Sequence, residues 1–451
     1  MTTNSTTYLT RTQSSGTSDK IGTFSAWIKS PQGNETNSIF SGHTDSSNRI
    51  ALYIGGSGVL TIYGNTANSQ SVYLITNNLL RDVSAWYHIV VAWDTTQGTD
   101  SNRFKIYVNG SQITSFSTAA YPSVNADVYW NKGTTSIVGA RYISSVVNFY
   151  YGSMAMVQFV DGTALGPEYF GSTDSTTGIW TPQASSTISS YGTNGFKLKM
   201  DTATPGADTS GNTNTFTVGG GTPTLTQGSP SNVYATMNPL GSGAVTFSNG
   251  NNTVTRSGSG WLNAIANIGA SSGKWYVEAK AISIGSVTYG SYTGFINLDV
   301  SNAQNTTTNF GETNDTTGIS SGGGYIYYNT GQQFAGPTTA TTNGDIVTLA
   351  MDLDNGFLYW GINGNWVNSG VPTSGATGTG GMAISYITAD GTYTFGQSIR
   401  EGANYSWNFG EGFFGTTAAG TQADDNGQGL FAYDVPAGYY ALNTKNLEAY
   451  G

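Results

Sequence analysis

The chain has 451 residues, of which 62 are glycine, 13% are aromatic and only 9% are charged. This length allows two domains with cores of their own, and the aromatic content argues against an intrinsically disordered chain. Cysteine is absent, which excludes a disulfide framework and thiolate metal sites, and the net charge of −10 comes without the Lys/Arg stripe that a nucleic-acid partner needs.

Short strands are predicted throughout the first half of the chain. Apolar and polar side chains alternate in short runs that are bounded by Gly, Asn or Ser, and no amphipathic 3.6-residue pattern continues for three turns. The predicted strands are residues 23–29, 38–40, 49–54, 59–63, 71–75, 136–139, 152–160 and 195–200. Residues 167–170 are predicted to form one helical turn.

Two segments far apart in the chain predict the same element, a β-hairpin. Residues 86–113 and 345–367 each combine a strand of alternating apolar residues with a second strand that turns at Asn-Gly. Both Asn and Gly tolerate the positive φ of a tight hairpin turn. Two such hairpins therefore indicate two all-β domains in tandem.

The composition changes between residues 172 and 232, where turn-forming residues dominate. We predict a first domain at 1–218, a linker at 219–232 and a second domain at 233–451. Further strands are predicted at 273–280, 293–298, 324–328, 381–386 and 406–410. The predicted fold class is all-β, with two tandem β-sandwich (jelly-roll-like) domains.

Several motifs resemble known families. Residues 8–11, 24–29, 86–89, 107–110 and 151–159 resemble the laminin G-like, concanavalin A-like lectin family. The second half resembles a SPRY domain, in residues 273–278, 344–347, 352–356, 363–364 and 407–410. The order of these segments is similar to that in structural and tail-fibre-like proteins of marine tailed bacteriophages. The motifs are mostly scaffold, so they indicate fold more than function.

Catalytic patterns are weak, and we predict that the chain is not an enzyme. A glycosidase needs two carboxylates, yet the Glu-containing runs of related glycosidases are absent. Asp352 and Asp354 instead resemble turn carboxylates that accept backbone hydrogen bonds. The two histidines are His43 and His88, the latter at a position that the resemblance assigns to packing or hydrogen bonding. Residues 318–322 spell Gly-x-Ser-x-Gly but run into a glycine-rich loop.

Calcium is the one cofactor that the resemblance raises, because laminin G-like domains often bind it at loop oxygens. The aspartates in turn-like places are Asp45, Asp94, Asp100 and Asp127. No Asp-x-Asp-x-Asp-Gly loop is present. We therefore predict no cofactor and no metal.

A carbohydrate site would need exposed aromatic side chains that stack on a sugar ring. Tyr129 and Trp130 stand in a predicted loop at the sandwich edge, and Tyr142 and Tyr150, with Phe149 beside them, stand in the next. These four are the predicted carbohydrate-binding residues. Packing of the same aromatics against a neighbouring subunit is the alternative. The corresponding candidates in the second half are Tyr325, Tyr327, Trp366 and Trp407, the last of which is better placed in the core.

Together these features predict a non-enzymatic virion surface protein of a tailed phage, such as a tail fibre, a knob or a capsid decoration. A polar Ser/Thr/Asn surface without a signal peptide fits a virion component released by lysis. The predicted partners are other virion proteins, host-surface glycans and further copies of the chain. No membrane insertion is expected, because no apolar stretch approaches ~20 residues. The alternatives are a purely architectural cement protein and a polysaccharide depolymerase.

Overall fold

The computed structural model describes residues 6–29, 36–183, 188–241, 244–285, 290–299, 308–329, 331–334, 340–387 and 390–451. The chain divides into two compact units, Met1–Leu225 and Thr226–Gly451. The boundary falls inside the segment 219–232, the predicted linker. Each unit is built from sheets whose strand pairs are antiparallel, except for one short parallel pair in the second unit, which confirms the all-β fold class.

The first unit is a sandwich of an eight-stranded and a six-stranded sheet. The larger sheet has the order β10-β6-β5-β4-β3-β11-β1-β18 and the smaller one β17-β14-β2-β7-β8-β9. Its strands are β1 (Tyr8–Thr12), β2 (Ile21–Lys29), β3 (Asn37–His43), β4 (Arg49–Ile54), β5 (Val59–Thr66), β6 (Ser69–Leu79), β7 (Trp86–Asp94), β8 (Phe104–Val108), β9 (Ser111–Ile113), β10 (Phe116–Ala120), β11 (Thr135–Val138), β12 (Arg141–Tyr142), β13 (Val146–Val147), β14 (Ser153–Asp161), β15 (Gly171–Thr173), β16 (Trp180–Pro182), β17 (Phe196–Leu198) and β18 (Thr217–Gly219).

Aromatic side chains fill the core between these two sheets. Phe24 of β2 stacks on Phe40 of β3 with ring centroids 4.5 Å apart, so the two sheets meet at this pair. Trp93 and Trp130 are fully buried beside it. Burial of a large aromatic side chain contributes about 1.5–3 kcal/mol, so a core of this composition does not depend on disulfides.

The first predicted hairpin is confirmed. Strand β7 pairs with β8, and β8 turns back into β9 at Asn109 and Gly110. These two residues have φ angles of 47° and 79°, which is the conformation that a tight turn between twisted strands requires. Asn109 also accepts a hydrogen bond from the backbone N–H of His88 at 2.8 Å, which fixes the turn to β7.

The second unit is also a sandwich of two sheets. The larger has the order β19-β20-β32-β22-β27-β28-β29, with β30 and β35 added at its side, and the smaller is β21-β31-β23-β24-β25-β26. Its strands are β19 (Thr246–Ser248), β20 (Thr253–Arg256), β21 (Leu262–Ile265), β22 (Lys274–Ile284), β23 (Tyr292–Asn297), β24 (Thr316–Ser320), β25 (Ile326–Tyr328), β26 (Gln332–Gln333), β27 (Ile346–Asp352), β28 (Phe357–Ile362), β29 (Asn365–Trp366), β30 (Met382–Ala383), β31 (Tyr393–Ile399), β32 (Ala403–Asn408), β33 (Phe413–Phe414), β34 (Thr417–Ala418) and β35 (Tyr440–Ala441).

The second predicted hairpin is confirmed as well. Strands β27 and β28 pair in register, and β28 continues into β29 through Asn363 and Gly364. Both turn residues have positive φ, at 51° and 78°. The described helices are short: the α-helix α1 (Thr444–Tyr450) and 3-10 turns that include Pro167–Tyr169, the predicted helical turn. In the part of the chain that the model describes, no helix has the length and apolar character to cross a membrane.

One strand prediction in the second half is wrong in detail. Of residues 381–386, only Met382–Ala383 is strand, and a 3-10 turn follows. Residues Gly318–Ser320 end the buried strand β24, and a turn at 321–323 follows them, as the glycine-rich sequence predicted. Here Gly318, Gly294 and Gly396 align across three strands. Phe310 lies over this row, because a Cβ at Gly318 or Gly396 would come within 3.1 or 2.7 Å of its side chain.

In each unit the first and last paired segments are neighbours. Tyr8 of β1 pairs with Gly219 of β18 in the first unit. In the second unit, Tyr234 forms a β-bridge with Asn443, just before α1. Both units are therefore closed by contacts between residues more than two hundred positions apart.

Candidate functional site

Three of the four predicted carbohydrate-binding aromatics are buried, which corrects the sequence interpretation. Trp130 and Tyr150 have no exposed surface, and Tyr129 is only 9% exposed. Trp130 packs against Trp93, with ring centroids 5.2 Å apart, and the Tyr150 hydroxyl donates to the carbonyl oxygen of Lys29 at 2.8 Å. These rings close the end of the hydrophobic core, so they have no face free for a sugar.

Tyr142 is the exception, because it lies at the surface in the small hairpin of β12 and β13. Its ring stacks on His43 with centroids 4.1 Å apart and planes 5° from parallel. His43 belongs to β3, so this stack fixes the hairpin against the long sheet. Burial lowers the pKa of His43 below its usual value, and the charge of Asp45 opposes this shift. The ring is therefore neutral at neutral pH.

A pocket of about 190 Å³ opens beside Tyr142, on the face of the long sheet that points away from the core. We call it the tyrosine–arginine pocket. Its lining combines four tyrosines, two arginines and three small or aliphatic residues: Arg49, Ile50, Ala51, Tyr53, Tyr63, Tyr73, Arg141, Tyr142 and Ile143.

Strand alternation places these tyrosines on the outer face. In β4, β5 and β6 the residues Ile50, Leu52, Leu60, Ile62, Val72 and Leu74 belong to the core. The residues between them point the other way. Ala51, Tyr63 and Tyr73 are then direct cross-strand neighbours. Tyr63 and Tyr73 meet edge to face with centroids 5.2 Å apart, and both are partly exposed.

The two arginines differ in how they are held. Arg141 lies over the Tyr53 ring with its guanidinium carbon 4.5 Å from the centroid, and its Nε donates to Asn148 Oδ1 at 3.0 Å. Arg49 has a buried Nη1 that finds no acceptor among the described residues. An unsatisfied buried donor costs about 1–3 kcal/mol. Arg49 as a whole is partly exposed and lines the pocket, so its positive charge faces the pocket.

No acidic side chain is among the nine residues that line this pocket. Asp45, whose charge acts on His43, uses its oxygens locally, accepting from the backbone N–H of Ser47 at 2.7 Å and of Asn48 at 3.0 Å. Burial raises the pKa of Tyr53, and the charge of Arg141 opposes this shift. At neutral pH the pocket therefore offers hydrogen-bonding phenols and uncompensated positive charge.

Sequence reasoning missed Arg49, Tyr53, Tyr63, Tyr73 and Arg141. The missing step was to follow the predicted strands to their outer faces. Tyr53, Tyr63 and Tyr73 recur at intervals of ten residues, each at an outward position of its strand. Tertiary contact alone brings the 141–142 segment to them, and this contact has no local sequence signal.

The other residues considered for chemistry have structural partners. His88 is fully buried: its Nδ1 accepts from Trp180 Nε1 at 2.9 Å, which leaves Nε2–H to donate to Ser25 Oγ, also at 2.9 Å. This packing agrees with the position that the resemblance assigned to it. Asp352 accepts from Asn355 N at 3.0 Å and Asp354 from Gly273 N at 2.8 Å, which confirms both as turn carboxylates.

The aspartates considered for calcium are bonded within their own turns or to lysines. Asp94 accepts from Thr96 N and Asp100 from Ser101 N, at 3.0 and 2.7 Å. Asp127 forms ion pairs with Lys20 and Lys132. Across the described ranges, no three residues of the metal-ligating types come together in a group.

The aromatic candidates of the second unit do not form one site. Tyr325 and Tyr327 contact each other, with centroids 6.2 Å apart. Trp366 instead packs near Tyr276, at 6.5 Å. Trp407 is fully buried in the core, as the sequence analysis predicted.

Comparison with known proteins finds a family similarity within the first unit. Residues 3–168 match the family model described as the concanavalin A-like lectin/glucanases superfamily. This part of the first unit is therefore similar to concanavalin A-like domains. No curated protein matches the chain.

Among solved structures, the chain is similar to the SPRY domain of human HERC1, with 16% identity and a TM-score of 0.30 over 38% of this chain and 96% of that one. It is similar to a heptameric SAP-like pentraxin from Limulus polyphemus, with 20% identity and a TM-score of 0.28 over 37% and 74%. It is also similar to the CBM40 of a Ruminococcus gnavus IT-sialidase bound to α2,3-sialyllactose, with 17% identity and a TM-score of 0.24 over 30% and 72%. Scores this low assign neither a family nor a ligand to the second unit.

Proposed function

We propose that the first unit binds a glycan in the tyrosine–arginine pocket, and that the chain is a non-enzymatic surface protein of a tailed-phage virion. The observation that carries the binding proposal is the pocket itself, where partly exposed tyrosines and two arginines converge on the outer face of the sheet. The match of this unit to a lectin and glucanase superfamily supports the same ligand class.

The chemistry of the pocket suits a sugar. An aromatic ring stacks on the apolar face of a pyranose, while phenol hydroxyls and guanidinium groups bond its oxygens. Tyr63 and Tyr73 form a step-shaped aromatic surface because their rings meet nearly at right angles, at 88°. Arg141 and Tyr142 enclose one side from the hairpin. Aromatic and charged partners are thus available to one bound ring.

The virion assignment rests on the polar, low-charge composition and on the resemblance of the segment order to phage structural proteins. In this role the chain would be a tail fibre, a knob or a capsid decoration that contacts host glycans, other virion proteins or further copies of itself. An architectural cement protein is the second candidate. A depolymerase is disfavoured at this pocket, because its lining contains no carboxylate pair.

A glycan array on the purified full chain tests the binding proposal. We expect the wild-type chain to retain a defined set of glycans, and Tyr73→Ala to bind the same set about tenfold more weakly, since loss of one stacking ring costs about 1–1.5 kcal/mol. The matched control is Tyr169→Ala, which removes another tyrosine, 36% exposed, that does not line the pocket.

Two outcomes would contradict the proposal. One is that no glycan is retained by a folded wild-type chain. The other is that Tyr73→Ala and Tyr169→Ala bind the array equally well. A cement protein predicts the first outcome, together with binding to purified capsids or tails in a sedimentation assay. Light scattering of the same sample tests the predicted homo-oligomer.

A further inference from the structure

We infer that the tyrosine–arginine pocket takes an acidic sugar, one that carries a carboxylate or a sulfate group. This inference rests on the proposed glycan-binding function and specifies its ligand class. It follows from the charge inside the pocket, which is positive in a chain whose net charge is −10.

Arg49 has no acidic partner in the described structure. Its Nη1 is buried and has no hydrogen-bond acceptor in the described residues. No salt bridge in the part of the chain that is described includes Arg49. Arg49 therefore brings an unpaired positive charge to the pocket lining. The planar fork of its guanidinium fits carboxylate and sulfate-like groups.

Arg141 is held in place at the pocket by uncharged groups. Asn148 and the Tyr53 ring hold it from two sides, so its guanidinium is fixed before any ligand arrives. Neither contact neutralises its charge, because an amide and a phenol ring are both uncharged. A fixed cation loses less side-chain entropy on binding than a mobile one. Arg141 is therefore preorganised to bond an anion.

Three lysines elsewhere in the chain contrast with these two arginines. Lys20 and Lys132 share the carboxylate of Asp127, and Lys274 pairs with Asp352 at 3.0 Å. With 26 acidic residues against 16 basic ones, the chain has carboxylates in excess. Even so, none of them lines the pocket that holds two arginines.

The volume limits the ligand to a small group. Pockets for drug-sized ligands measure about 300–1,000 Å³, whereas this one measures about 190 Å³. One sugar residue, at the end of a chain or as a side branch, suits that volume. The tyrosines would contact its ring, and the arginines its acidic group.

The test compares neutral, uronic-acid and sulfated glycans on one array at 50 mM NaCl. The proteins are the wild-type chain, Arg49→Gln, Arg141→Gln, the double variant and the control Arg81→Gln, an exposed arginine outside the pocket. We expect the retained glycans to be acidic, with the single variants weakened about tenfold and the double variant about a hundredfold. Arg81→Gln should bind as the wild type does. If the uronic-acid glycans bind more tightly than the sulfated ones, the recognised group is a carboxylate. If the sulfated glycans bind more tightly, it is a sulfate.

Further variants separate charge from packing. Arg49→Lys and Arg141→Lys keep the positive charge, so each should recover part of the binding that glutamine removes. Thermal unfolding of every variant identifies any that fail to fold. Retention of neutral glycans alone, or unchanged acidic binding in the folded double variant, would overturn the inference and leave the proposed glycan binding in place. Retention of no glycan would overturn both.

Discussion

Among its described residues, the first unit has two contacts between a tyrosine ring and a cation, and these contacts lie in opposite environments. At Tyr129 the neighbouring Lys132 lies 5.7 Å from the ring centroid and is neutralised by Asp127. At Tyr53 the guanidinium of Arg141 lies 4.5 Å from the centroid and faces no acid among the pocket residues. The contact at Tyr129 lies at the edge of the buried core, whereas the contact at Tyr53 faces solvent.

The comparison shows that register and charge balance decide which aromatic is available to a ligand. Residues 127–132 turn inward so that Trp130 reaches the core, and the charges at the rim cancel. Tyr53 stands on the outward side of a strand whose inward side is core. A contact between an aromatic ring and a cation therefore indicates a ligand site only where the ring lies on an outward strand face and the cation has no acidic partner.

The largest expected effect is on stability, at the buried contact around Tyr129 and Trp130. Trp130→Ala removes a fully buried indole, which should lower the free energy of unfolding of the first unit by about 3–5 kcal/mol. Tyr142→Ala, at the solvent-exposed pocket, should lower the free energy of unfolding by less than about 1 kcal/mol. Urea denaturation followed by circular dichroism measures both. Similar losses in the two variants would show that the regions do not differ in this way.

The two histidines extend the comparison to pH. Burial lowers the pKa of His88 to about 3, so the unfolded chain takes up a proton below pH 6.5 that the folded chain does not. Stability should therefore fall by about 1.4 kcal/mol for each pH unit from 6.5 toward 3. Urea midpoints at pH 7, 6, 5 and 4 measure this slope. His88→Gln should reduce it, and His43→Gln should change it much less, since His43 is only half buried. Equal slopes in all three proteins would contradict the assignment.

A smaller effect is expected on ligand binding. Tyr53→Leu keeps an apolar side chain but removes the ring under Arg141, and a cation–π contact of this type contributes about 1 kcal/mol. Acidic glycans should then bind roughly fivefold more weakly in a titration. Tyr129→Phe serves as the control, because it removes only the hydroxyl that donates to Asn48 at 2.9 Å. A loss of binding in Tyr129→Phe and not in Tyr53→Leu would reverse the roles of the two regions.

The smallest effect concerns the neutralised lysines. Hydrogen bonding to Lys132 lowers the pKa of Asp127, so the ion pairs stabilise the fold above the usual carboxylate pKa and are lost as the pH falls through the lowered value. The Asp127 side chain is 32% exposed, so Asp127→Asn should cost only about 0.2–1 kcal/mol at pH 7. Thermal unfolding at low and high salt measures the difference. A loss that salt does not reduce would point to packing.

Much of the fold was predictable because short-range patterns fix it. Such signals depend only on residues a few positions apart. Examples are the apolar alternation in residues 49–54 and the Asn-Gly turns at 109–110 and 363–364. Strand β31 was not predicted, because Gly396 and the buried Gln397 stand in its middle. The side-chain oxygen of Gln397 accepts a hydrogen bond from the Thr293 hydroxyl at 3.0 Å. A glycine and a buried amide both interrupt an alternating pattern.

The site was less predictable, because it depends on long-range contacts. Tyr142 was singled out as a loop aromatic, but Arg49 and Arg141 lie more than ninety positions apart and meet only in the folded unit. Trp130 and Tyr150 are loop residues, as predicted, but they are buried, and nothing local in the sequence shows that their loops fold inward. The outward faces of β4, β5 and β6 were available from the sequence and would have supplied three of the four tyrosines.

The pairing of Tyr8 with Gly219 and of Tyr234 with Asn443 has a practical consequence for protein engineering. A unit whose first and last paired segments are neighbours can be inserted into a loop of a host protein, because its two ends lie close together. Circular permutation of such a unit needs only a short connecting peptide. New ends would be tolerated best in exposed turns such as the one around Gly98, where an added side chain meets nothing. The lectin-like unit could thus be transplanted, displayed or multiplied without rebuilding its sheets.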